Sequence, residues 1–294
     1  MVSVLTASGV IVLLTGALTK RLVPALAAAI LMAAISAVIF TSLDTAKNAT
    51  PPNMAINLPD ALLYQGKPVD PECLRQAPQM LDDGCGIKNG VTKDGEIITK
   101  ITAENNYAEN TYMCDAETYC GFFGYEYIGP VADGLLIKTV SSGGGSGTFT
   151  TLAVYERRGD AINLLYQIDG GDRCNGGVQD ASVDADGQVS YTAHMTARAL
   201  FSALKPADVA ADALDTLPDC AACCYAAAHI TGSDITGVTL VADSPYLSAT
   251  DTEDAATHCF NTLVQEQITT TGPTLDKAAA DSLIAKTALA CIGE

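Results

Sequence analysis

Apolar residues are densest at the start of the chain, where 2–19 and 22–40 form two runs divided only by Lys20 and Arg21. Each run approaches the ~20 residues an α-helix needs to cross a ~30 Å hydrocarbon layer. Two arrangements fit. In one, the runs form a transmembrane helical hairpin with Lys20 and Arg21 held on the cytoplasmic side by the positive-inside rule. In the other, only 22–40 inserts, and 2–19 is a signal sequence or an overlong start without the usual basic beginning. Both place everything after residue 43 outside the cytoplasm. Within the second run Ala25, Ala29, Ala33 and Ala37 recur every fourth residue and would form one smooth ridge along a helix. Such small-residue ridges let helix backbones approach closely in lipid. The partner is then either the first run, through Gly9 and Gly16, or another membrane protein.

The pattern then changes twice. Residues 44–72 carry prolines at 51, 52, 59, 68 and 71 and no sustained period, which predicts a tether or a segment lying across the following domain. Residues 73–294 read as the extracytoplasmic domain, mainly β over 73–195 and mainly helical over 196–294. The β part consists of GEIITKIT, CGFFGYEYIG, DGLLIKTV, GTFTTLAVYE, DAINLLYQID, GGVQDASVD and GQVSYTAHM, each rich in β-branched or aromatic residues and bounded by turn residues. Asp186-Gly187 is a strong hairpin signal, and Arg158-Gly159-Asp160 a second. Strand after strand without a helix predicts an antiparallel sheet, read as a meander. Helices are expected at TARALFSAL and PADVAADALDTL, then a short strand pair CYAAAHI and ITGVTLVA. Two terminal helices follow, TEDAATHCFNTLVQEQI and TLDKAAADSLIAKTALAC, broken at TTTGPT. The fold class is α+β: a membrane anchor at 1–43 and a disulfide-rich antiparallel sheet domain with C-terminal helices.

Charge narrows the partners. The chain holds 16 Lys+Arg and 34 Asp+Glu. Two basic and no acidic residues fall in 1–43, so the rest carries 14 − 34 = −20. A domain this acidic repels nucleic acid, whose affinity depends on Lys and Arg meeting phosphates. The ten cysteines, an even number, all lie beyond the apolar runs: Cys73, Cys85, Cys114, Cys120, Cys174, Cys220, Cys223, Cys224, Cys259 and Cys291. Beyond a membrane that arithmetic predicts up to five disulfides. Spacing favours Cys73 with Cys85, Cys114 with Cys120 and Cys259 with Cys291, leaving Cys174 and the Cys220 cluster to supply two more. Zinc at the cluster is disfavoured because Cys-x-x-Cys-Cys has no second pair at finger spacing. A redox Cys220-x-x-Cys223 lacks the βαβ context that usually lowers a thiol pKa.

Candidate chemistry is sparse. The loop SSGGGSGTF lacks the lysine and following helix of a phosphate-binding loop and reads as a strand connection. In DGGDRCNGG, Asp169, Asp172 and Asn175 offer oxygen ligands for calcium, or else form a polar turn pinned by Cys174 with Arg173 on a carboxylate. His194, His229 and His258 are the only histidines, and none stands beside an evident nucleophile. The expectation is a disulfide-stabilised binding domain, an accessory or assembly subunit of a membrane complex, held in the bilayer through residues 2–40. Its compartment would be the periplasmic side of a bacterial inner membrane, its partner another membrane protein, and no cofactor is implied. The alternatives are a calcium or small-ligand module, or a hydrolase whose site is assembled from distant residues.

Overall fold

The computed structural model describes residues 58–82, 85, 90–91, 98–104, 106–113, 119–206, 216–247 and 254–292. The anchor runs at 2–40 with Ala25, Ala29, Ala33 and Ala37, residue Cys114, and most of the helix expected at 206–217 lie outside these residues. Among the described residues no helix is long and apolar enough to cross a membrane. The domain is α+β with antiparallel sheets, as the patterning predicts.

It opens with a short hairpin, β1 (Leu63–Tyr64) and β2 (Lys67–Pro68), and a single-turn helix, α1 (Pro71–Arg75). Eight strands then form the larger sheet. They are β3 (Gln79–Met80), β4 (Gly90–Val91), β5 (Ile98–Glu104), β6 (Tyr107–Met113), β7 (Tyr119–Val131), β8 (Gly134–Ser142), β9 (Phe149–Arg158) and β10 (Ala161–Asp172). Their order is β3-β10-β9-β8-β7-β6-β5-β4, a meander from β4 to β10 with β3 added outside β10. Both faces of its centre are covered, which is why β9 reads Thr-Leu-Ala-Val-Tyr without alternation. Leu152 and Val154 face one core and Ala153 and Tyr155 the other.

The expected meander requires three corrections. It stops at β10: GGVQDASVD and GQVSYTAHM become β11 (Val178–Val183) and β12 (Val189–Met195) of a second sheet. The strand pair expected to stand apart continues that sheet as β13 (Ala226–Thr231) and β14 (Asp234–Leu240). The break at TTTGPT holds its edge strand, β15 (Thr274–Asp276), after Gly272 ends the preceding helix with φ 95°. Three strands unforeseen in the sequence, β3, β4 and β6, complete the first sheet.

The five-stranded sheet buries one face only. Along β13 Ala226, Ala228 and Ile230 are buried and Ala227, His229 and Thr231 are not, the period-two pattern of a half-buried strand. The buried face serves two cores. Ala228, Ile230, Tyr191 and Ala193 pack on Leu136, Leu152 and Val154 of the larger sheet. Ala226, Val238 and Leu240 pack beneath the helices α2 (Ala197–Leu204), α3 (Ala255–Thr271) and α4 (Lys277–Thr287), against Phe201, Phe260 and Ile284. Burying one such side chain stabilises by about 1.5–3 kcal/mol. Each helix starts where a side chain accepts an otherwise unpartnered backbone N–H: Thr196 from Ala199, Asp254 from Thr257 and Asp276 from Ala279, at 2.8–3.1 Å.

From 58 onward, the segment expected as a tether or as a stretch lying across the following domain packs on it: Leu58, Leu62, Val69 and Leu74 lie with Tyr125, Ile137, Tyr155 and Ile162 over the other face of the larger sheet. The prolines here end or begin elements. Pro71 opens α1 behind Asp70, whose carboxylate accepts Glu72 N–H at 2.9 Å. The segment is fastened to β6 and β7 by three hydrogen bonds. Tyr125 donates its hydroxyl to Val69 C=O at 2.9 Å, Asn110 its amide to Asp70 at 2.7 Å, and Tyr112 its hydroxyl to Glu72 at 2.9 Å.

Candidate functional site

All nine cysteines among the described residues are in disulfides. Cys73 bonds Cys85, Cys259 bonds Cys291, Cys174 bonds Cys224 and Cys220 bonds Cys223. Cys120 is oxidised as well. The Cys259–Cys291 bridge ties the first turns of α3 to the turn after α4, with Cα atoms 5.5 Å apart. Opposite helix ends meet there because the helices run antiparallel.

The Cys174–Cys224 bridge sits where the two sheets meet, at the turn between β10 and β11. There the DGGDRCNGG motif reveals what its residues do. Asp172 accepts Thr148 N–H at 2.9 Å and pairs with Arg173 at 3.0 Å, joining the glycine-rich loop to the turn. Arg173 outweighs the opposing desolvation and, with that N–H, holds the Asp172 carboxyl below the ordinary range. Asp169 accepts Gly170 N–H at 2.8 Å and bonds the Tyr191 hydroxyl across to the second sheet. Burial first, then Asp169, pushes the Tyr191 hydroxyl well above its usual range. Asn175 exchanges backbone hydrogen bonds with Asp172. Two of the glycines are there for backbone contact: a Cβ on Gly171 would collide with Asn175 C=O, and one on Gly177 with Arg173 C=O. Thr150 finishes the junction, its buried hydroxyl accepting Val178 N–H at 2.6 Å. The carboxylates offered by the sequence for calcium are thus engaged by protein donors, and among the described residues no three His, Cys, Asp or Glu side chains converge.

The histidines are dispersed. His194 exchanges backbone hydrogen bonds with Gly176 and Gly177 at the junction. His229 lies on the half-exposed face of β13, its Nε2 2.8 Å from Thr239 Oγ1. His258 is exposed in the first turn of α3. No carboxylate–histidine–nucleophile set is formed by them among the hydrogen bonds of the described residues.

Among the described residues, three consecutive exposed apolar side chains stand on the outer strand edge formed by β10. Among the described residues β3 covers that edge only at Ala161 and Ile162. Beyond them β10 carries Leu164, Leu165 and Tyr166, 44%, 39% and 45% exposed, beside Met80 at 62%. The irregularity between Leu164 and Tyr166 inserts Leu165 without a partner on β9, so consecutive apolar residues reach solvent instead of alternating. The stretch NLLYQI, 163–168, has no charge. Arg157 and Arg158 lie at its start and Asp169 and Asp172 at its end. Strand patterning identified DAINLLYQID correctly, but edge position depends on which strands pair and leaves no mark in one sequence. No protein-family model, curated protein or solved structure matches the chain.

Proposed function

We propose that this chain is a non-catalytic accessory or assembly subunit of a membrane protein complex. Residues 2–40 anchor it in the bilayer and the acidic domain stands in an oxidising, extracytoplasmic space. Recognition is by strand addition: an extended segment of the partner membrane protein pairs with β10 and covers Leu164, Leu165 and Tyr166. The observation carrying this reading is the edge of β10, covered among the described residues only at Ala161 and Ile162. Exported proteins ordinarily blunt edge strands with charge or proline, because unpaired N–H and C=O groups template association. Here a neutral apolar edge persists in a domain of charge −20. Main-chain bonding would supply affinity and the alternate side chains specificity. Two observations bear on the compartment: the oxidised cysteines and the two apolar runs.

The test is recovery from detergent-solubilised membranes with the wild-type chain and with Leu165→Asp/Tyr166→Asp. A stoichiometric partner should accompany the wild type and be lost from the double variant, whose thermal unfolding stays within a few degrees. A wild-type chain recovered alone, or a partner retained by the variant, refutes the reading.

A further inference from the structure

Beyond that binding role, we propose that Cys220–Cys223 is a thiol–disulfide exchange site, open to small-molecule thiols through Cys220, while the other bridges act as fixed staples. Three observations meet here. Cys220 is the one exposed cysteine among the described residues, whereas Cys223 is 5% exposed. Exchange requires a thiolate to reach one sulfur, so access selects Cys220 as the sulfur attacked and Cys223 as the leaving group. The bridge closes a sequence separation of only 3, against 12, 50 and 32 for Cys73–Cys85, Cys174–Cys224 and Cys259–Cys291. By loop-closure entropy it constrains the unfolded chain least, so the fold gives up least when it opens.

The third observation concerns closing. The segment is held on both sides independently of its own bridge. Cys223 N–H donates to Cys220 C=O at 2.8 Å, Cys174 N–H donates to Ala221 C=O at 3.1 Å, and Cys174 is bonded to Cys224. Tyr225 N–H then donates to Met195 C=O at 2.9 Å. After reduction the two thiols therefore stay side by side, which keeps re-formation of the bond intramolecular.

The step balances as follows. A thiolate RS⁻ attacks Cys220 Sγ, the Cys220–Cys223 bond breaks, and an RS–Cys220 mixed disulfide forms as Cys223 departs as thiolate and takes a proton from water. A second RS⁻ attacks the external sulfur, releasing RSSR and the Cys220 thiolate. Two electrons pass from two thiols to the protein bridge. The surrounding acidity shapes the choice of thiol. Asp219 adjoins Cys220, with Thr196 donating to it at 3.0 Å and Arg198 3.9 Å away. Over the whole domain carboxylates predominate, so a neutral thiol should react faster than an anionic one of equal pKa, with the gap narrowing in salt.

The experiment uses the full-length oxidised chain in detergent, treated with graded dithiothreitol, quenched by alkylation and mapped by peptide mass. Cys220 and Cys223 should be labelled together, about tenfold sooner than Cys73 with Cys85 or Cys174 with Cys224. Glutathione disulfide added to Cys223→Ser should give a glutathione adduct on Cys220, with one reduced glutathione released. The wild-type labelling order decides the matter even where that variant folds poorly. Labelling of Cys220 and Cys223 no earlier than Cys73 and Cys85 overturns the proposal, as does a first wild-type adduct on Cys223.

Discussion

Replacing Tyr125 by phenylalanine removes one oxygen from the middle of the molecule and little else. Tyr125 is fully buried, and its hydroxyl donates to Val69 C=O at 2.9 Å, joining β7 to the segment that lies over it. The ring remains, so no cavity of consequence opens and the apolar contacts with Ile137 and Tyr155 persist. What is lost is the donor, which leaves a buried carbonyl without that partner. Such an orphan costs about 1–3 kcal/mol, more than the net worth of the average hydrogen bond, because the desolvation of the carbonyl is no longer compensated. For a domain of this size each kcal/mol moves the midpoint by roughly 2–4 °C, so a loss of about 2 kcal/mol predicts a fall of about 4–8 °C. The chain has 11 tyrosines and no tryptophan, so urea unfolding followed by tyrosine emission, under oxidising conditions, reads the change directly. Tyr166→Phe, at a 45% exposed position, is the control and should stay within about 0.5 kcal/mol. A Tyr125→Phe loss no larger than that of the control would refute the placement of this segment against β7.

Other outcomes follow from the same contacts. Removing Cys174–Cys224 as a double alanine variant should cost about 4 kcal/mol and removing Cys220–Cys223 about 2, from the difference in loop length; calorimetry showing the reverse order would contradict the loop-entropy account. Asp254→Ala should cost about 1 kcal/mol by leaving Thr257 N–H uncapped, measured by denaturant unfolding, with Asp254→Asn recovering most of it. Burial alone would raise the Glu72 carboxyl, but donation by Arg75, Gln76 and Tyr112 overrides it and the group sits below its ordinary value. Its contribution is therefore full above the unfolded value and fades as pH falls through the lower folded one. Amide exchange in α1 should accelerate relative to β9 below about pH 4, and an unchanged ratio down to pH 3 would show that Glu72 does not hold the helix.

The alternating and β-branched stretches were readable because each strand places a residue on a packed face every second position. YAENTYM escaped notice because its buried positions carry little apolar signal: one is the small Ala108 and the other is Asn110, 2% exposed, whose amide N–H donates to Asp70, a residue 40 positions earlier. The partition into two sheets was hidden for a related reason. β12 pairs with β13 across 30 residues of helix and loop, and that choice rests on packing of Tyr191 and Ile230 rather than on any local signal. The prolines of 58–72 left a tether and a segment lying across the domain equally open, because breakers are conspicuous while Leu58, Leu62 and Val69 are spaced without a period. The pairing of Cys73 with Cys85 was legible because a proline and an Asp-Asp-Gly turn lie between them, whereas Cys220 with Cys223 was left among the possibilities of the cluster. The Asp169 to Asn175 turn offered ligand oxygens on paper, and only the fold could reveal that Tyr191 bonds Asp169 and that Thr148 and Arg173 bond Asp172.

The three hydrogen bonds from Tyr125, Asn110 and Tyr112 to Val69, Asp70 and Glu72 also have a mechanical meaning. A pull on the polypeptide ahead of Leu58 reaches the larger sheet through this clasp, and the covalent loop from Cys73 to Cys85 limits how far the strain can travel before it meets a bond that does not yield. The domain is thereby fitted to bear a pull at its front end, the load that the proposed anchor would apply.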